Sequence, residues 1–431
     1  MKYLILILFL ITYFGIVLKR DKSKISNIFV YGCVFLFIIL KAINFKDIFS
    51  FINYNVLGIF LGTSILSFLF TNSKVPAHIV SKIEQKNFSV GLIYLFICIT
   101  TSFISSFIEN VATILIMAPV ALEFTKKNYL NPVPLFIGMM VSSNLQGCAT
   151  MIGDSPSIIL AIESNMNFLD FFYMPAKKLG LTSGKLGLFF FVQFGAILSF
   201  FVLYFFFRKE KGQIKFKEEE YKVKTYLPTF SIILMIITLA ITSFFQDKFS
   251  FFPACICLFF GIITLLIYLK KFKDEKISIK HIDWDSFFLL IGIFILVGTL
   301  KKFGFIEMIA DFLIKTGGKN PFILFNLIVW ISVFISAFID NIPYTMAMIS
   351  GIQILCTKLS LNPYLFLFGL LLGTCLGGNI TPIGASCNVV GMGILKKNGY
   401  KVKFSDFVKI GLPFTIIAVA GSTLLLWVVY T

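Results

Sequence analysis

Two stretches of this chain are nearly the same sequence: Phe103-Ile-Ser-Ser-Phe-Ile-Glu-Asn110 and Phe334-Ile-Ser-Ala-Phe-Ile-Asp-Asn341. They lie 231 residues apart, and the match runs without a gap over residues 103–159, where 18 of 57 positions are identical. Shared apolar composition does not place Asn, Pro and Gly in register, so the chain contains an internal repeat. Each copy carries an acidic residue followed by Asn in the middle of an apolar run.

The composition around these stretches is that of a protein embedded in a membrane. Of the 431 residues, 58% are hydrophobic and 14% are charged, whereas soluble domains are about half apolar and about a quarter charged. This composition excludes an ordinary cytosolic enzyme, a disordered chain and a secreted disulfide scaffold. The net charge of +17 comes from Lys and Arg in short loops between apolar runs, so we expect no nucleic-acid partner.

Apolar runs of about 20 residues, enough to span a bilayer, recur along the whole chain. We predict simple spans over 3–18, 26–42, 48–70, 185–207, 226–245, 249–269, 284–300 and 404–430. The runs 132–163 and 363–397 are too long for one crossing, and Gly, Pro, Ser and Thr near their centres predict helices broken inside the membrane.

Two further apolar runs, 88–125 and 322–357, carry the acidic residues of the repeat at mid-length. We interpret each run as a re-entrant helical hairpin; the alternative is two complete spans joined by a turn, which spacing alone does not exclude. The amphipathic stretches 74–87 and 301–316 are predicted to lie along the membrane interface.

The predicted fold class is therefore an all-α polytopic membrane protein built from two inverted repeats. Residues 1–207 form the first repeat, 208–225 a linker and 226–431 the second. Each repeat has three spans, an interfacial helix, a hairpin, a broken span and a last span, and five crossings per repeat invert the second. With both termini outside, 26 of the 38 Lys and Arg residues fall in inside loops, which predicts a cytoplasmic linker. Paired broken helices in inverted repeats indicate a secondary transporter with its site at the midplane.

Polar residues concentrate in the two hairpins and the two breaks. Where a helix is broken, its unpaired backbone carbonyls and nearby side-chain oxygens can bind hard cations. The N-termini of the half-helices carry partial positive charge and can bind anions. A carboxylate at mid-membrane costs at least about 2.5–3.5 kcal/mol, so it suggests function, and its burial suits the uptake of a proton. The candidates in the first repeat are Ser105, Ser106, Glu109, Asn110, Thr113, Asn144, Gly147, Thr150, Gly153, Asp154 and Ser155. The candidates in the second repeat are Asp340, Asn341, Thr345, Gly378, Asn379, Thr381, Gly384, Ser386 and Asn388.

A helix cap is the alternative role for each acidic residue. Glu109 and Asp340 occupy equivalent positions, and each is followed by Asn, which favours function over capping. Asp154 has no acidic equivalent, because position 385 is Ala, so a cap is a stronger alternative there. The eight Cys residues lie in apolar segments without a CxxC pair and are expected to be free thiols.

Four motifs in these segments resemble the signatures of the ion transporter superfamily, in its citrate-transporter-like branch. They are the hairpin sequence from Phe107 to Thr113 with Met117-Ala-Pro119, the break Ala149–Pro156, Asp340-Asn-Ile-Pro343, and the break Gly377–Asn388. That branch includes arsenite efflux permeases, sodium/proton antiporters and the pink-eyed-dilution P protein. The dicarboxylate symporters related to it carry Ser-Asn-Thr at both hairpin tips, whereas this chain has Glu109 and Asp340 in place of Ser.

The resemblance implies a fold like that of the divalent-anion/sodium symporters, with scaffold and transport domains, an elevator motion and a homodimer. It also implies that Asn110 and Asn341 contact substrate or ion. Thr150, Gly153, Thr381, Gly384 and Ser386 would then line ion sites, with possible Na⁺ at Asn110, Thr150, Asn341 and Thr381.

The charge of the two hairpins and the two breaks limits the class of substrate that we expect, since no Lys or Arg lies in these four segments. This favours a small cation, a proton-linked exchange or a neutral substrate over a carboxylate without accompanying cations. Proton-coupled efflux of sodium or of arsenite/antimonite ranks first. Sodium-coupled uptake of citrate, another di- or tricarboxylate or a divalent anion is the alternative, and a channel is a remote one.

Energy for this transport is expected from Na⁺ or H⁺ as coupling ion, with no other cofactor. The chain lacks HExxH and GxSxG motifs, so we expect no enzyme. It also lacks a nucleotide-binding P-loop, so an arsenite pump would need a partner ATPase. The expected location is a lipid bilayer, the bacterial inner membrane.

Overall fold

The computed structural model describes residues 1–18, 23–84, 88–210, 222–245, 251–272 and 282–431. In these residues the chain forms α-helices almost throughout. Up to residue 210 they are α1 (Lys2–Leu18), α2 (Ser23–Ile39), α3 (Phe45–Phe51), α4 (Tyr54–Asn72), α5 (Val75–Glu84), α6 (Val90–Ser105), α7 (Asn110–Lys127), α8 (Pro132–Gly147), α9 (Ser155–Glu163), α10 (Ala176–Leu179) and α11 (Leu188–Phe207). From residue 222 they are α12 (Leu227–Thr242), α13 (Phe252–Lys271), α14 (Trp284–Lys302), α15 (Phe305–Gly317), α16 (Pro321–Ser336), α17 (Asn341–Leu359), α18 (Pro363–Gly377), α19 (Ser386–Lys397) and α20 (Phe404–Tyr430).

The helices have the length and character that a membrane requires. By length and composition, α4, α11, α13, α14 and α20 could each cross a bilayer, and α1, α2, α6, α12, α16 and α18 contain shorter apolar segments. Large apolar side chains such as Phe103, Phe230 and Phe334 remain about 70% exposed, as expected for surfaces that face lipid. The predicted all-α polytopic fold class is confirmed.

Helix bounds follow the internal repeat closely. Adding 231 to the bounds of α6 gives 321–336, which is α16, and the starts of α7, α8 and α9 map onto those of α17, α18 and α19. Each copy has a pair of helices joined by a tight turn and a pair separated by a seven- or eight-residue break. The opposite membrane orientation of the two repeats stays a prediction.

Local sequence explains where these helices begin. Asn131 and Asn362 each precede Pro, and their side chains accept the first free backbone N–H of α8 and α18, with Pro at the first helical position. Helices α8 and α18 are buried almost completely and pack on α6 and α16, respectively. The centre of the molecule is therefore built from the broken helices and their neighbours.

Two regions differ from the sequence prediction. The predicted span 48–70 is two helices, because the chain is extended at Ile52 and the Asn53 side chain accepts from Val56 N at 3.2 Å to begin α4. Residues 164–184, which lie between two predicted spans, hold a 3₁₀ turn (Leu169–Phe171), the strand β1 (Tyr173–Met174) and α10. The predicted span 185–207 begins as a helix only at Leu188, because Lys185–Leu186 form β2, which pairs antiparallel with β1.

The orientation can be tested at the linker between the repeats, of which residues 211–221 lie outside the described residues. In a Cys255→Ser background, which removes the exposed thiol, Lys209→Cys should react with a membrane-impermeant maleimide only after the membrane is opened. Ser183→Cys, in a loop on the opposite side, should react in intact cells. Labelling of position 209 from outside would reverse the predicted orientation.

Candidate functional site

The first hairpin tip folds directly onto the first break. The Thr150 hydroxyl donates to the Ser106 carbonyl, and Ser105 Oγ lies 2.8 Å from Ser143 Oγ and donates to Asn110 Oδ1 at 2.6 Å. A Cβ at Gly153 would lie 2.9 Å from both the Ser105 and Ser106 carbonyl oxygens. Only glycine allows this approach, which gathers several backbone and side-chain oxygens in one place.

The second hairpin tip and the second break repeat this arrangement. The Thr381 hydroxyl donates to the Ala337 carbonyl, and the Ser336 hydroxyl donates to Asn341 Oδ1. A Cβ at Gly384 would lie 2.9 Å from the Ala337 carbonyl oxygen. The two tips thus place equivalent oxygens in equivalent positions, as the repeat predicts. These oxygens suit Na⁺ chemically, and the binding role of the residues stays a prediction.

A buried amide cluster joins the two breaks. Asn144 Nδ2 donates to Asn379 Oδ1 at 2.8 Å and to Asn388 Oδ1 at 3.2 Å, while Asn144 Oδ1 accepts from Asn110 Nδ2 at 3.3 Å and from Cys387 Sγ at 3.0 Å. Asn388 in turn donates to the carbonyls of residues 378 and 381. Asn144 is therefore a four-way junction between the first hairpin tip and the second break.

We predict that Asn144→Ala destabilises the protein. It removes the amide contacts of two other buried asparagines, and each unsatisfied buried group costs about 1–3 kcal/mol. The temperature at which detergent-solubilised protein aggregates should fall by several degrees. Asn326→Ala is the matched control, because among the described residues Asn326 donates only within its own helix, to the Phe322 carbonyl. Equal aggregation temperatures for the two variants would contradict the junction role.

The acidic residues all begin helices. Glu109 Oε2 accepts from Val111 N at 2.8 Å and Ala112 N at 3.1 Å, and Asp340 Oδ1 accepts from Ile342 N at 3.2 Å. Asp154 Oδ1 accepts from Ser157 N at 2.9 Å, and Asp154 Oδ2 accepts from Cys375 Sγ at 3.2 Å. Capping and function are compatible, because a capped carboxylate keeps further lone pairs for a ligand.

A cavity of about 580 Å³ separates the hairpin tips from a second group of helices. This volume is within the range of about 300–1,000 Å³ that small-ligand sites occupy. Glu109, Asp340 and Ser386 line one side, and the Ser386 hydroxyl donates to Asp340 Oδ2 at 3.2 Å. Residues of α2, α4 and the start of α14, including Asp283, line the other side. Among the described lining residues there are three carboxylates and no Lys, Arg or His.

The other predicted residues take different places. Asp154 lies outside the described lining of the cavity, with the contacts of a helix cap, and Ser155 begins α9 beside it. The Thr113 hydroxyl donates to the Ile108 carbonyl at 3.2 Å. The buried Thr345 hydroxyl has no partner among the described residues. Gly147 and Gly378 lie against the Asn110 side chain and the Gly384 backbone, respectively.

Six polar residues of the described cavity lining were not predicted as site residues: Ser26, Ser64, Thr71, Asn72, Asp283 and Ser286. Asp283 immediately precedes the predicted span 284–300, while Ser26 and Ser64 lie inside apolar runs. An acidic residue at a helix start was the available signal for Asp283, since Glu109 and Asp340 share it. Nothing in the sequence distinguishes Ser64 from other serines in spans.

Comparisons with known proteins agree with this architecture. A family model described as "Citrate transporter" matches residues 6–359. An uncharacterised transporter of Mycobacterium tuberculosis is 26% identical over 388 residues, covering 88% of this chain and 87% of that protein. The 46 kDa membrane protein of Mycobacterium leprae is 25% identical, covering 100% and 99%.

Two more distant similarities extend the comparison. The P protein of Mus musculus is 26% identical over 446 residues, covering 85% of this chain but about half (53%) of the mouse protein. The crystal structure of the Alcanivorax borkumensis YdaH transporter superposes with a TM-score of 0.55 at 12% identity, covering 87% of this chain and 84% of that one, which shows the fold alone.

The family match covers well over half of the chain and confirms the resemblance found in the four motifs. The family is one of membrane transporters, not of enzymes. The chain belongs to the citrate transporter family.

Proposed function

We propose that this transporter is a proton-coupled efflux carrier for sodium or for arsenite/antimonite, with the cavity between the hairpin tips and the second helix group as its substrate site. The observation that carries the proposal is the charge of this cavity. Its described lining contributes three carboxylates and no basic side chain. A cation is attracted there, and a free carboxylate substrate is repelled.

Both substrates of the proposal suit this lining. Sodium prefers oxygen ligands, which the carboxylates and the Ser386 hydroxyl supply. Undissociated arsenite is neutral and carries hydroxyl groups that donate hydrogen bonds, so carboxylate acceptors on both sides of the cavity suit it as well. A proton returning to Glu109 or Asp340 would replace the departing ion, which couples the two movements.

Sodium-coupled uptake of citrate is the second candidate, and the matched family description favours it. In that case the carboxylates would bind cations that accompany the anion, because citrate alone would meet like charge. The two candidates differ in which tracer crosses the membrane and which gradient drives it.

Tracer accumulation in proteoliposomes distinguishes them. With an acid interior and no sodium gradient, sodium or arsenite tracer should accumulate against its concentration gradient, and a protonophore should abolish the accumulation. Labelled citrate should stay at the level of empty liposomes. Accumulation of citrate driven by inward sodium, with no movement of sodium or arsenite driven by the pH gradient, would replace the efflux proposal with the uptake candidate.

A further inference from the structure

The cavity has two walls that belong to different groups of helices. The hairpin wall consists of Glu109, Asp340 and Ser386, and these residues lie on the two tips and the start of α19. The outer wall consists of residues of α2, α4 and α14, among them Ser64 and Asp283. A ligand that fills the cavity contacts both walls at once.

The outer wall presents an unused polar group to the cavity. Ser64 is only 9% exposed, lines the cavity, and its hydroxyl makes no hydrogen bond to the described residues. A ligand in the cavity can form a hydrogen bond with this hydroxyl, which can both donate and accept. Ser64 is thus an observation independent of the carboxylates, and it too points to a ligand.

Asp283 faces the hairpin wall from the N-terminus of α14. Asp283 Oδ1 accepts from Ser286 N at 3.0 Å, and Oδ2 accepts from Ser286 Oγ at 2.6 Å, which fixes the carboxylate at the cavity. Asp283 and Glu109 line the same cavity from its two walls. Two facing carboxylates repel each other, and a cation between them relieves that repulsion.

The described residues contain no group of three or more His, Cys, Asp or Glu side chains placed to hold one metal ion. A ligand that contacts both walls therefore carries its own hydrogen-bond donors, as a hydrated cation or a hydroxylated molecule does.

We propose that Asp283, assisted by the Ser64 hydroxyl, completes the binding site for the transported ion in only one of the two access states; this rests on the proposed function. A carrier must expose its site alternately to the two sides of the membrane, so the hairpin wall must move relative to the outer wall. Glu109 and Asp340 remain with the ligand throughout that movement, whereas Asp283 contacts it only when the two walls face each other as they do here. Asp283 therefore sets the affinity on one side of the membrane.

The predicted membrane orientation assigns this state to one side. Thr71, Asn72, Ile282 and Ser26 line the cavity next to three Lys-rich loops that the charge distribution places in the cytoplasm. Asp283 is accordingly assigned to the cytoplasm-facing state, where an efflux carrier loads its substrate.

The test is Asp283→Asn, with transport kinetics measured in inverted and in right-side-out vesicles. Sodium or arsenite is titrated, whichever the wild type carries; if the wild type takes up citrate with sodium, sodium is titrated. The KM at the cytoplasmic face should rise at least about tenfold, which corresponds to the loss of about 1.4 kcal/mol of binding free energy. The KM at the outer face should stay within twofold. Ser64→Ala should raise the same KM by a smaller factor.

Asn caps a helix as well as Asp does, so a residue with only a capping role would leave both KM values unchanged in Asp283→Asn. That result would overturn the proposal, and so would an equal rise on both faces. The matched control is Asp285→Asn. Asp285 lies two residues after Asp283, in the first turn of α14, and outside the described cavity lining. Asp283→Glu should recover part of the lost affinity. Failure of the proposed function gives a different result from failure of this inference, because the wild-type protein would then transport citrate together with sodium.

Discussion

Replacing Asp340 by Asn, or Glu109 by Gln, should reduce ion-driven flux to the level of empty liposomes while the protein remains folded. Both carboxylates line the 580 Å³ cavity from the hairpin wall. A contact to a charged group contributes about 1.5–3 kcal/mol, so removing one weakens cation binding roughly 10- to 100-fold. The amides also cannot take up and release a proton, so any exchange that remains should lose its dependence on the pH gradient.

Asp340→Asn is the cleaner of the two variants. Asn is as good a helix cap as Asp, so the backbone contact to Ile342 N is retained, while the charge and the carboxylate acceptor for the Ser386 hydroxyl are lost. Asp311→Asn is the control, because Asp311 is an exposed carboxylate on α15 that pairs with Lys358 at 2.6 Å. Coupled flux equal to that of the wild type in both Asp340→Asn and Glu109→Gln would leave these carboxylates as helix caps alone.

Gly153→Ala and Gly384→Ala should each abolish transport, through geometry and not charge. The added Cβ would lie 2.9 Å from the carbonyl oxygens of the adjoining hairpin tip, closer than real Cβ atoms approach. Overpacking of this kind costs about 1–3 kcal/mol, and it separates the tip from the break that positions Thr150 or Thr381. Flux in proteoliposomes should fall to background, with normal protein yield in the membrane.

Gly393→Ala is the matched control for this pair, since no atom lies within 4 Å of a Cβ built at Gly393. Alanine is also the better helix former in α19. Wild-type flux in Gly153→Ala and Gly384→Ala would mean that close packing of tip and break is unnecessary for transport.

The repeat made much of the fold predictable. The match between residues 103–159 and their counterparts located both helix pairs, and Asn-Pro at 131–132 and 362–363 located the starts of α8 and α18. Gly153 and Gly384 marked the breaks because close backbone packing requires glycine there. These features are local in sequence, so periodicity and turn chemistry reveal them.

The contacts between the two repeats could not be predicted from the sequence. Asn144 has Cys375 as its counterpart, so the offset of 231 gives no hint that its amide reaches Asn379 and Asn388. The break at Ile52 and Asn53 was not predicted, although Ser50, Asn53 and Asn55 are polar residues within this otherwise apolar run. Asp283 joins the cavity only because α14 packs beside α2 and α4. Tertiary packing of this kind leaves no signature in a single sequence.

In the acidic cavity, each carboxylate both caps a helix and lines the proposed substrate site. Glu109, Asp340 and Asp283 each stabilise a helix N-terminus, and all three line the same space. The partial positive charge of a helix N-terminus favours an ionised carboxylate, so three such helices bring negative charge into the interior at reduced cost. A cation that enters this space neutralises it.

The most direct test of the account is proton movement in proteoliposomes that contain an internal pH dye, with sodium, arsenite and citrate added in turn. The account predicts that sodium or arsenite changes the internal pH, that citrate does not, and that the Glu109→Gln/Asp340→Asn double variant gives no signal. No pH change with sodium or arsenite, together with sodium-dependent citrate uptake, would contradict proton-coupled efflux and make the three carboxylates ligands of co-transported cations.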